Sequence, residues 1–149
     1  MRAVVTRVNE ASVTIDNEVV GKIGKGFLIL LGITHEDTSE HCRKLAEKVL
    51  GLRVFTDEND KMNKSLTDVQ GEVLVVSQFT LYGDCSHGRR PSFIAAARPE
   101  LAIPLYEQFL AECERLGFPP QHGQFGAHMK VASVNDGPVT IIVDTKDLK

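Results

Sequence analysis

The hydrophobic positions change period along the chain. In the first third, "RAVVTRV" and "ASVTI" are short β-branched runs, and "EVVGKI" follows a turn at Asp16 to Glu18. A second turn, Gly24 to Gly26, leads into "FLILLGI", which is apolar at nearly every position. Alternation marks strands with one wet face, whereas an unbroken apolar run of this length marks a strand covered on both. These segments together predict an antiparallel meander.

The period then lengthens. In "HEDTSEHCRKLAEKVLG", residues Cys42, Leu45, Ala46, Val49 and Leu50 fall on one helix face. Asp37 with Glu40 reads as a capping box and Gly51 as the stop. "LRVF" predicts a short strand, and Thr56 to Gly71 has the composition of a long surface loop. In "EVLVVSQFTLYGD", Val73 to Val76 predict a second strand buried on both faces, yet the run ends on Ser77, Gln78, Phe79 and Thr80. A polar, basic loop follows from Gly83 to Ser92. A second helix is predicted over Pro99 to Leu116, its stripe made by Ala102, Tyr106, Phe109, Leu110, Cys113 and Leu116. Pro104 places the start of its regular part near Ile103. Two last strands, "HMKVASV" and "PVTIIVD", flank a turn-like Asn135 to Pro138. The reading is one α+β domain over residues 1–149, a mostly antiparallel sheet with two main helices packed on it.

Composition adds limits. A chain of 149 residues with 42% apolar and 25% charged residues suits one ordinary globular core. No apolar run reaches the length of a membrane span, and charges inside "MRAVVTRVNE" argue against a signal peptide, so a cytoplasmic protein is expected. Cys42, Cys85 and Cys113 form no CxxC pair and suggest no disulfide framework. A net charge of −3 does not announce a nucleic-acid partner, although a local basic patch is compatible with it.

Several chemistries lack their residues. The five histidines are scattered without metal-site spacing, so no metal site is expected. Ser77 lies in no nucleophile elbow, and Ser77, His128 and Asp136 make a triad only on paper. "GKIGKG" has glycines but precedes a strand, as a hairpin turn does. Arg89 and Arg90 in "HGRRPSF" are either a solvated loop or a fork for phosphate. Gly137 and Pro138 are either an ordinary turn or a candidate cis peptide with fixed carbonyls. Polar groups at the end of a buried strand are either satisfied structural groups or one wall of a site.

The wording of two segments bears on these alternatives by resemblance. "SQFTLYG" (Ser77 to Gly83) and "NDGPVTI" (Asn135 to Ile141) resemble the two signature motifs of the D-aminoacyl-tRNA deacylases. "MRAVVTRVNEASVTID", "KMNKSL", "RRPSF" and "FGAHM" resemble further landmarks of that family, so the likeness spans nearly the whole chain. "CSHG" (Cys85 to Gly88) and His122 depart from the usual pattern. The resemblance implies a barrel-like fold, a homodimer, and cofactor-free hydrolysis of the ester between a D-amino acid, or glycine, and the 3′ end of tRNA. That activity is chirality proofreading, a form of translation quality control. It implies that Ser77, Gln78, Phe79 and Thr80 position the ribose, adenine and oxyanion. It also implies that Gly137 and Pro138 reach into the partner's site through a cis bond and reject L-substrates. Arg89 and Arg90 are kept as candidate tRNA contacts. Thr80 without a neighbouring base is expected to orient rather than attack.

Overall fold

The computed structural model describes residues 1–149. Its spine is β1, Arg2–Ile15, one continuous strand. Asp16 and Asn17 both take positive φ, 48° and 66°, the left-handed pair that a tight hairpin turn requires. The chain then returns along β1 as β2, Glu18–Ile23, and β3, Gly26–Gly32, both antiparallel to it. Chain order continues through α1 (Ser39–Leu50), β4 (Phe55–Thr56), β5 (Met62–Lys64), α2 (Leu66–Val69), β6 (Glu72–Ser77), α3 (Pro99–Arg115), β7 (Gln121–His122) and β8 (Lys130–Asp144).

The main sheet runs β2-β1-β3-β6-β7, with β8 on the other side of β1. Antiparallel pairs prevail, but β3–β6 and β6–β7 are parallel, so the sheet is mixed. It curls until β2 approaches β7, where the Lys22 N–H reaches the side-chain oxygen of Gln121 at 3.5 Å. The barrel is therefore nearly closed. Successive side chains of a strand point to opposite faces, and here both faces are filled. Leu28, Leu74 and Val76 point inward with Val8, Val13 and Ile23. Phe27, Ile29, Leu31, Val73 and Val75 point outward into a larger core with Leu45, Val49, Tyr106 and Phe109 from the helices. Each such side chain contributes about 1.5–3 kcal/mol of burial. The two unbroken apolar runs are thus strands sandwiched between barrel interior and helices, as their pattern predicts.

Four local expectations need correction. Asp37 does not cap α1; its carboxylate accepts the Met1 amine at 2.7 Å and the Thr34 N–H at 2.8 Å. The cap is Thr38, and the His41 ring accepts the Thr38 N–H at 2.9 Å. Helix α3 begins at Pro99, not near Ile103, with Pro104 inside it. The bond Pro104 forgoes would have gone to the carbonyl of Glu100, a solvent-exposed residue, so little is lost. The segment after Thr56 is not all loop: it forms β5 against β4, then α2 capped by Ser65. Finally, Asn135 to Pro138 is no turn between two strands, because β8 runs through it. Thr6 pairs with Thr140 and Val8 with Asn135, so Asp136, Gly137, Pro138 and Val139 all face Arg7 alone. The turn-forming residues supply a wide bulge instead, which lifts Gly137 and Pro138 out to solvent.

The cysteines follow the two cores. Cys42 and Cys113 are buried, and burial pushes both thiols up to about 12, whereas Cys85 is exposed. A thiol reagent at neutral pH is expected to label Cys85 alone in the folded protein and all three cysteines in denaturant. Rapid labelling of a second thiol under native conditions would contradict this packing.

Candidate active site

β6 ends at Ser77, and the Gln78 N–H continues its ladder by donating to the Leu31 carbonyl at 2.8 Å. The chain then winds into a single 3₁₀ turn, Phe79–Tyr82. The start of such a turn leaves its first N–H groups without intrahelical acceptors. Here those belong to Phe79 and Thr80, which are both exposed. The side-chain amide of Gln78 donates to the Thr80 hydroxyl. No carboxylate or imidazole bonds to that hydroxyl, so nothing there takes its proton.

Gly32 permits the turn to pack, since a Cβ there would meet the Leu81 Cβ at 3.0 Å and the Gln78 carbonyl at 3.2 Å. Arg2 braces the turn from the first residue of β1. It donates to the Leu81 carbonyl at 2.7 Å and to Asp144 at 2.9 Å, and its guanidinium lies 4.7 Å from the Tyr82 ring centre. Burial of Asp144 opposes its ionisation, but bonds from the Lys146 N–H and Arg2 outweigh it and hold the carboxyl below its usual range. Burial likewise pushes the Tyr82 hydroxyl upward and keeps it neutral.

Beside the turn lies a cavity of about 260 Å³, lined by Ser77, Gln78, Phe79, Phe125, His128 and Met129 among others. Phe79 is 55% exposed and meets Phe93 edge-to-face at 5.3 Å. An aromatic platform is therefore present here. His128 shares this cavity with Ser77, but Asp136 is held 3.3 Å from Arg7 in the β8 bulge, so the paper triad does not assemble. Arg89 and Arg90 are exposed on a loop closed by two Asp84–Ser92 backbone bonds of 2.7 and 2.9 Å, with Phe93 at its base. No group of three potential ligand side chains is arranged to hold a metal.

Gly137 and Pro138 stand apart from this cavity. Ser77 neighbours Leu31, Leu31 neighbours Ala3, and Ala3 neighbours Val143. Gly137 lies in the bulge opposite Arg7, four positions along β1 from Ala3, roughly 13 Å at about 3.3 Å per residue. One chain thus keeps the two motifs apart, Gly137 lying midway along β8 and Ser77 at the end of β6. The Gly137–Pro138 bond is cis, and Gly137 has φ of +124°. Buried Arg7 shapes the bulge: it donates to the Asp136 carbonyl at 3.1 Å and the Val54 carbonyl at 2.6 Å. Sequence reasoning missed Arg2 and Arg7 as supporting residues. Their signal was two arginines inside an apolar strand, read above only as an argument against a signal peptide.

The sequence profile of the D-Tyr-tRNA(Tyr) deacylase family matches residues 4–144. The chain belongs to that family. The D-aminoacyl-tRNA deacylase of Thermus aquaticus is 58% identical over 99% of this chain and 97% of its own. That of Clostridioides difficile is 57% identical over 97% of each. A solved structure named c-Myc DNA Unwinding Element Binding Protein superposes with a TM-score of 0.92 at 44% identity, covering 97% of this chain and 99% of the other. Membership makes the protein a deacylase, a hydrolase by class. The family's barrel-like fold is the one described above. No helix is long and apolar enough to cross a membrane.

Proposed function

We propose that the protein hydrolyses the ester between a D-amino acid, or glycine, and the 3′-terminal ribose of tRNA. It does so as a homodimer in the cytoplasm. Each site joins the Ser77–Thr80 turn of one copy to Gly137 and Pro138 of the other. One observation carries this reading: the two signature motifs are kept apart within one chain, and β8, which bears the second at its middle, is a fifteen-residue strand paired only with β1. Its free edge displays Val131, Val134 and Ile142, which are 40%, 48% and 69% exposed. An open edge of this length is a template for a second chain.

In the composite site the terminal adenosine enters the cavity beside Phe79 and Phe125. The N–H groups of Phe79 and Thr80 stabilise the oxyanion of the attacked ester. The carbonyls around Gly137 and Pro138 hold the α-ammonium, and the same wall collides with an L side chain while a D side chain points away. Glycine has nothing to collide and is accepted. Rejection by collision suits a proofreader surrounded by L-substrates. Arg89 and Arg90 contact phosphate near the 3′ end.

The Thr80 hydroxyl accepts from Gln78 and has no base, so the attacking group is water, assisted by the ribose 2′-hydroxyl of the substrate. Thr80→Ala is expected to retain single-turnover hydrolysis within about tenfold of the parent, the scale of a lost orienting bond. A rate at the uncatalysed background would make Thr80 the nucleophile. The reading as a whole is tested by incubation with D- and L-aminoacyl-tRNA, with and without chelator. D-selective, chelator-resistant release of tRNA is expected. Tight binding without turnover would favour a nucleic-acid-binding module, which the name of one solved relative brings into view.

A further inference from the structure

One strongly charged surface plays no part in the site above. A groove of about 590 Å³ lies between the last turns of α1 and the C-terminal residues, lined by Arg43, Lys44, Lys48, Arg53 and Lys149. Against these five cations the lining holds one acidic side chain, Glu47, which is already paired with Arg43 and Arg115 at 3.1 Å each. Lys44, Lys48, Arg53 and Lys149 take part in no ion pair. Such a concentration is notable in a chain whose net charge is −3. Arg53 is held in place by the carbonyl of Asn63 at 2.8 Å.

Its position gives it a meaning. Arg53 precedes Val54, whose carbonyl accepts from Arg7, and the same Arg7 holds the Asp136 carbonyl next to Gly137. The Arg53 side of the groove therefore adjoins the bulge that carries Gly137 and Pro138. In the dimer proposed above, that bulge meets the partner's turn, and the Arg53 side of the groove borders it. We infer that the groove of one copy holds the phosphodiester backbone of a tRNA whose 3′ end lies in the partner's site. The inference rests on the composite-site reading. The chemistry is a row of unpaired cations facing a polyanion, which fixes position without reading sequence.

The test reverses charge on the exposed face of α1. The K44E/K48E variant and the milder K44Q/K149Q variant are assayed on D-aminoacyl-tRNA and on the same D-aminoacyl ester of adenosine alone. The readout is the ratio of the two kcat/KM values, which a general loss of folding or chemistry does not move. Charge reversal is expected to lower that ratio by about tenfold or more, and to reduce the slope of log kcat/KM against log salt for tRNA by about 1.5, since each phosphate contact contributes about 0.7–0.9. A ratio and slope equal to those of the parent would overturn the inference. Binding of uncharged tRNA separates the two readings. If the parent binds tRNA and the variants lose that binding, the groove stands even where no D-ester is cleaved. If D-selective hydrolysis holds and both variants match the parent, the groove falls and the hydrolase reading remains.

Discussion

Gly137→Ala is expected to remove most of the discrimination against L-aminoacyl-tRNA. The position has φ of +124°, a backbone region that L side chains rarely adopt. A Cβ there would lie 2.7 Å from a guanidinium nitrogen of Arg7 and 3.0 Å from the Val139 side chain. Arg7 is the group that holds the bulge, so the bulge and its carbonyls must move together. A shift of a few tenths of an ångström is enough to change a wall that works by collision. The rate ratio of D- to L-substrate is therefore expected to fall at least about tenfold, equal to a loss of about 1.4 kcal/mol of discrimination. Parallel single-turnover assays on both enantiomers measure it. An unchanged ratio would mean that Gly137 and Pro138 do not form the wall.

The second large effect is expected at Arg7. Its side chain is 9% exposed and serves Asp136 and Val54 at once. Arg7→Ala leaves the Val54 and Asp136 carbonyls and the Asp136 carboxylate without their donor. Removing one partner of a buried charged pair costs about 3–5 kcal/mol. The Asp136 side chain is 38% exposed, so the lower end of that range is the better expectation. Urea unfolding measures it. Arg7→Lys keeps the charge but lacks the planar fork that reaches both strands. It is expected to fold while losing D over L selectivity. Wild-type stability in Arg7→Ala, with selectivity intact, would remove Arg7 from this role.

Much of the fold is legible in the chain because its two apolar strands are covered on both sides and its helices carry clean apolar stripes. Asn135 to Pro138 reads as a turn for a physical reason. Local composition reports that the backbone must bend, but not whether a bend reverses the chain or bulges within a strand paired to β1. The Asp37 error is similar: a carboxylate before a helix looks like a cap until a distant amine competes for it. At the site, Ser77 to Thr80 stands out as a polar ending to an apolar strand. Arg2 and Arg7 do not, because their partners Leu81, Val54 and Asp136 are 79, 47 and 129 positions away. The separation of the two motifs is a property of strand order, which no local pattern carries.

The central claim is a site shared between two copies, and mixed dimers test it most directly. One protomer carries Gln78→Ala with Phe79→Ala, which disables the turn. The other carries Gly137→Ala, which disables the wall. In a shared site, each mixed dimer rebuilds one intact pairing of turn and wall. Mixing is therefore expected to restore D-selective hydrolysis that neither parent shows alone, with the ratio of L to D rates falling toward that of the unmodified protein. If turn and wall served the same chain, each mixed dimer would hold only defective sites. A ratio that stays at the Gly137→Ala value after subunit exchange would contradict the account.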